Sequence, residues 1–402
     1  MSRFSEALIR RVVVRGFRSL EKVTVDLEPV TVLAGPNGSG KSSFVDALAF
    51  LQEALSRSPQ EAFEKRGGFD QVLTQTGHRP DTVALEVQIQ SRAPEAFSGH
   101  YFARFGLKDR PKRLVVVEER CEMLLGPDRV AHRYRVEDGA WKVSAAGIEP
   151  QLAEGRLALP LMTSLKSFVP LYSALTSIRV YHIGADALRA WQKPDHGAQL
   201  SVDGSNTASV LQRLRDHDEP SYQRVIQTLS AVVPSIQAID ITTRQRGREI
   251  TFTFGESFAG HQDVAFRADS MSDGTLHVLG ILVAAYQEQP PVLIAFEEPE
   301  AMVHPGAAAV LAEVLQEAGL RTQVLITTHS PDLLSRFETD MLRAVERTPE
   351  GVTMIAPVAE SQREAIRRRL FTAGELHRIE GLRPSQSVAE ESIQDADARP
   401  DR

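Results

Sequence analysis

Residues 35 to 42 read Gly35-Pro36-Asn37-Gly38-Ser39-Gly40-Lys41-Ser42, which satisfies G-x-x-x-x-G-K-[ST] at every position. The surroundings fit as well. Val30 to Ala34 is a short apolar run that predicts a strand. After Ser43 the pattern turns helical, with Phe44, Leu48, Leu51 and Leu55 on one face. A strand that passes through a glycine-rich loop into a helix aims backbone amides and a helix dipole at phosphate. Gly35, Gly38 and Gly40 let that loop close tightly. Lys41 is expected on the β- and γ-phosphates, and the Ser42 hydroxyl on Mg²⁺. Asparagine occurs only at Asn37 and Asn206, neither within an N-K-x-D guanine reader, so ATP is the expected nucleotide.

The rest of the chain divides around that loop. Residues 1–80 hold strands, the loop and its helix. Residues 81–145 predict an inserted antiparallel β subdomain, with strand-like runs at Thr82 to Ile89, Tyr101 to Leu107, Leu114 to Cys121 and Val130 to Val136. Residues 146–237 predict a helical lobe, broken by an apolar segment at Ile178 to Ile183. Residues 238–384 alternate short apolar strands with helices, which implies a mostly parallel sheet. The polar, acidic residues 385–402 are expected to be disordered. The fold class is therefore α/β.

Two strand ends carry chemistry. The apolar run Val292 to Phe296 ends in Glu297-Glu298-Pro299-Glu300. Adjacent carboxylates ending a buried strand need a cation. Glu297 is assigned to the metal, and Glu298 to polarising the attacking water. Glu300 and His304 follow closely and could face the same place, although His304 suits a structural role in its turn equally well. A second apolar run, Val324 to Thr327, leads to His329, which a parallel neighbour strand would bring beside the γ-phosphate. Farther upstream, Ser272 and Gly274 in Met271-Ser272-Asp273-Gly274-Thr275 offer a hydroxyl and bare amides at a helix start. One chain cannot easily aim two such starts at one γ-phosphate, whereas two chains could exchange them.

Taken in this order, the motifs resemble the ABC-type, AAA-like P-loop ATPase heads of the RecF, SMC and OLD group, in particular stand-alone bacterial members. The resembling pieces are G-F-R-S-L at 16 to 20, the phosphate loop, S-D-G-T, F-E-E-P-E-A-M-V-H-P and T-T-H-S-P, joined by D-G-S-N-T-A-S-V-L at 203 to 211 and F-T-A-G-E-L at 371 to 376. The resemblance implies a head that closes as a dimer around two ATP molecules, with Ser272 to Thr275 as the signature turn. That turn departs from the transporter form L-S-G-G-Q. The resemblance also implies that Arg18 lies near the nucleotide and that a glutamine, Gln71 or Gln75, senses Mg²⁺. The short stretch after His329 leads to the expectation that this chain carries no nuclease module of the OLD type.

Composition narrows the partners. The formal net charge is -7, so any DNA contact needs a local patch. Candidates are Arg10, Arg11, Arg15 and Arg18, the run from Arg104 to Arg113, and Arg367 to Arg369. Each is also an ordinary solvated surface. The single cysteine, Cys121, excludes an internal disulfide, suits a cytoplasmic location and reads as a small core residue. The longest apolar run, Val278 to Tyr286, is too short to span a membrane. Two functions remain: a clamp or sensor on double-stranded DNA in repair, or an ATP-gated module that controls a partner nuclease or toxin in antiphage defence.

Overall fold

The computed structural model describes residues 7–75, 80–93, 96–108, 112–244, 247–254 and 264–385. The expected disordered tail lies almost wholly outside them. The chain opens with β1 (Ala7–Phe17), β2 (Leu20–Asp26) and β3 (Val30–Ala34). β1 and β2 pair as a hairpin, and β3 then leaves for a different sheet. Five further strands follow: β4 (Thr82–Ser91), β5 (Phe97–Lys108), β6 (Arg113–Leu125), β7 (Val130–Glu137) and β8 (Ala140–Val143). They run antiparallel, and β4 pairs directly with β1, giving the order β2-β1-β4-β5-β6-β7-β8. The sheet therefore does not break near residue 80. The segment after residue 81 extends the N-terminal hairpin. Cys121 is buried in β6.

The second sheet is assembled from distant pieces: β9 (Arg179–Tyr181), β13 (Leu293–Glu297), β14 (Gln323–Thr328), β15 (Leu342–Arg347) and β16 (Thr353–Pro357) join β3 in the order β16-β15-β3-β14-β13-β9. All of its pairings are parallel except β15 with β16. Every residue of β3 and β14 is buried, as expected of central strands covered on both faces. Between β9 and β13 lie the helices Thr207–His217 and Glu219–Val232. They pack on a small antiparallel meander of β10 (Ile236–Arg244), β11 (Gly247–Phe254) and β12 (Val264–Arg267). The structure places residues 149–158, at the front of the expected helical lobe, outside any helix.

The phosphate-loop helix, Lys41–Ser56, is clamped between the two large sheets. Phe44, Leu48, Leu51 and Leu55 are all buried, each contributing on the order of 2 kcal/mol of apolar burial. Phe50 is the centre of an aromatic cluster, with ring centroids 5.7 Å from Phe17, 4.6 Å from Phe63 and 5.5 Å from Phe105. The sheets are also joined by one buried amide. Gln323, at the start of β14, accepts from the Ile9 N–H at 2.5 Å and donates to the Ile9 carbonyl at 2.9 Å. Its amide thus occupies a ladder position on β1, where an unpaired backbone group would be costly. No helix among the described residues is long and apolar enough to cross a membrane.

Candidate functional site

The ends of β3, β13 and β14 meet at one edge of the parallel sheet. Glu297 pairs with Thr327, and Thr328 pairs with Ala34. The phosphate loop, the acidic turn and His329 therefore leave the sheet side by side. This placement follows from strand order alone.

A cavity of about 290 Å³ opens there, lined by Arg18, Ser19, Asn37, Gly38, Gly40, Lys41, Ser42, Ser43, Glu298 and Arg347. Gly35, Pro36 and Ser39 of the loop do not line it. A Cβ at Gly35 would sit 2.2 Å from the Val345 carbonyl oxygen, and one at Gly40 2.0 Å from Thr353 Oγ1. Thr353 Oγ1 also donates to the Ser39 carbonyl at 2.8 Å. Gly40, with φ 109°, starts the helix without a side-chain cap, so no side chain takes up its first amides. Lys41 Nζ donates to the carbonyls of Gly35 and Pro36 at 2.7 and 3.0 Å. Burial lowers the affinity of this amine for its proton, and the carboxylates of Glu298, Glu300 and Glu297 oppose that effect.

Glu298 is the wall between this cavity and a neighbouring one of about 360 Å³, which Glu300, His304, His329 and Asp332 also line. Its backbone is left-handed, with φ 47°, an unfavourable conformation for a residue with a Cβ. Its N–H is held by the Thr327 carbonyl at 2.8 Å. Its Oε1 lies 2.9 Å from His329 Nδ1. Glu300 accepts a hydrogen bond from the Thr328 hydroxyl, and burial holds its carboxyl above the usual range against that bond. The His304 ring accepts from the Gly306 N–H at 3.1 Å, the turn-forming role left open for it.

Arg18, expected near the nucleotide, lines the cavity. It sits in the β1–β2 turn with φ 52° and pairs with Asp46 of the phosphate-loop helix at 2.8 Å. Gln71 and Gln75 do not line the cavity, and the Gln75 amide is spent on the carbonyls of Asp70 and Leu73. Ser272 and Gly274 do not line it either. Ser272 caps its own helix, Asp273–Tyr286, accepting from the Thr275 N–H at 3.2 Å. Arg189 braces this turn through Asp273 and the Met271 carbonyl. Arg347, at the end of β15, lines the cavity but has no motif in the sequence to announce it.

Comparisons with known proteins agree with this architecture. A family model described as "AAA domain, putative AbiEii toxin, Type IV TA system" matches residues 158–335, and one described as "AAA ATPase domain" matches residues 8–89. A DNA replication and repair protein RecF from Roseiflexus castenholzii is 36% identical over 94 residues, which is 20% of this chain and 23% of that protein. The chain thus matches less than a quarter of that relative's length. An SMC head solved with the C-winged helix domain of ScpA superposes with a TM-score of 0.55 at 13% identity, over 88% of this chain and 98% of that one. An SMC head with an extended coiled coil, bound to the C-terminal domain of ScpA derived from Pyrococcus furiosus, gives 0.54 at 12% identity, over 90% and 99%. Two AAA ATPase domain models thus match separate parts of this chain, and its α/β fold is that of an SMC head.

Proposed function

We propose that this head binds Mg·ATP in the cavity above Lys41, closes as a homodimer around two ATP molecules, and reopens on hydrolysis. The observation that carries the reading is the Glu298–His329 pair, 2.9 Å apart and set at the edge of the phosphate cavity. Glu298 there accepts a proton from the attacking water, and His329 holds the carboxylate in place. Lys41, and the amides that begin its helix, stabilise charge on the transferred phosphoryl group. Among the described residues no three His, Cys, Asp or Glu side chains cluster as a metal site. Mg²⁺ shared with nucleotide phosphates needs no such cluster, and the hard oxygens of Ser42 and Glu297 suit it. Bound there, the ion would neutralise phosphate charge. The signature turn stands outside its own chain's cavity, which supports its use by a second copy.

The target we infer is duplex DNA, in keeping with the likeness to RecF. Several arginines of the basic clusters are paired within the chain. Arg11 pairs with Asp26, Arg104 with Glu118, Arg367 with Glu360 and Arg368 with Glu364. Residues 109–111 of the second cluster lie outside the described residues. A second reading, an ATP-gated module that controls a toxin or nuclease, is favoured by the toxin–antitoxin description of the model matching residues 158–335. ATP turnover with and without duplex DNA, blanked against Lys41→Ala, separates the two. Stimulation that fades with salt supports the DNA reading. Turnover indifferent to DNA supports the protein partner.

A further inference from the structure

The segment after β16 returns to the site. The helix Ala373–Glu380 starts with a reciprocal cap, in which Thr372 accepts from the Glu375 N–H and Glu375 accepts from the Thr372 N–H. It packs on the short helix Pro331–Leu334, whose cap, Ser330, directly follows His329. The approach is close: a Cβ at Gly374 would lie 1.9 Å from the Pro331 carbonyl oxygen. Ser335 Oγ donates to Thr372 Oγ1 at 3.2 Å, and Arg378 lies 3.7 Å from Asp332. One turn into this helix, the half-buried His377 imidazole faces the His329 backbone, and its Nδ1 is buried with no hydrogen-bond partner among the described residues. Burial, and then the charges of Lys41 and His329, hold this imidazole below the usual histidine range.

We propose that His377 is a positioning residue for ATP hydrolysis. It locks the loop from Thr328 to Ser330 so that His329 stays on Glu298. The inference rests on the hydrolytic reading above. The sequence offers a reason for this segment to be built so tightly. His329 sits on an exposed loop, and the Pro331–Leu334 helix has only 4 residues, too few to hold an imidazole by itself. The helix carrying His377, packed on that short helix, supplies the missing support. A catalytic pair needs such support, because small displacements from productive geometry are costly in rate.

The test uses the full chain with His377→Phe, His377→Ala and His377→Gln, and Ile379→Ser as a control on the exposed side of the same helix. Steady-state turnover and equilibrium ATP binding are measured on each. We expect His377→Phe and His377→Ala to lower kcat about tenfold while the Kd for ATP moves less than about twofold. His377→Gln, which keeps a polar donor, should recover most of that loss, and Ile379→Ser should match the wild type. His377→Phe preserves ring volume and carries the test if His377→Ala does not fold. Wild-type kcat in His377→Phe, or an equal fall in Ile379→Ser, would overturn the proposal. If the wild type shows no turnover above Lys41→Ala, the hydrolytic reading fails first and this inference falls with it.

Discussion

Two helices of this protein begin where phosphate is expected, and they begin differently. The helix Lys41–Ser56 starts at Gly40 with no side chain on its first amides. The helix Asp273–Tyr286 starts at Ser272, whose own hydroxyl takes the Thr275 N–H. The first is therefore ready for an anion as it stands, and it is braced by Val345 and Thr353 where Cβ atoms would otherwise be. The second is satisfied within its own chain and exposed. A phosphate that docks on it must compete with a cap worth about 1 kcal/mol. On the proposed reading, affinity for ATP would reside in the first start, and the second would add a conditional contact to a partner's nucleotide.

Four variants probe that division. Lys41→Ala should have the largest effect, with ATP binding weakened about a hundredfold or more by loss of the charge-assisted contacts. Isothermal titration would check it, and retained binding would place affinity elsewhere. Glu298→Gln should bind ATP normally but turn it over about a hundredfold more slowly. Light scattering should then show a dimer accumulating with ATP, and full turnover would remove Glu298 from its role. Ser272→Ala should leave ATP binding by the single chain within about twofold, lower thermal stability by about 1 kcal/mol, and weaken ATP-dependent dimerisation. An equal loss of binding in the single chain would erase the distinction between the two helix starts. Arg189→Ala loosens the exposed brace on the signature turn, and turnover should shift by less than about twofold.

Much of the parallel sheet was legible because its strands are short and apolar and end in charged or polar residues. Val30 to Ala34, Val292 to Phe296 and Val324 to Thr327 are β3, β13 and β14 to within a residue or two. Their parallel order brings Lys41, Glu298 and His329 together. What the sequence hid was pairing. The alternation in Thr82 to Ile89 announces a strand, but nothing in it says that β1 is the neighbour. Nor does any local pattern point to Gln323 as the link between sheets. Arg347 and His377 were missed for a related reason. Arg347 comes to the cavity, and His377 to the His329 backbone, by tertiary packing from an element whose own residues read as ordinary strand or helix. The nearest signal to His377 was F-T-A-G-E-L, which marked its helix but not its destination.

The brace behind the phosphate loop has a further consequence. Thr353 meets Ser39 across a sequence separation of 314 residues, and β3 is flanked in its sheet by β14 and β15. During synthesis the loop leaves the ribosome long before the strands that hold it in shape. A nascent chain therefore carries the glycine-rich loop without its brace until those later strands are made, and its apolar β3 waits unpaired on both edges. Contacts so remote in sequence form slowly, and exposed strand edges invite association in the meantime. The loop can therefore gain its brace only when β14, β15 and β16 have been made and close around it, 314 residues after Ser39 in the case of Thr353.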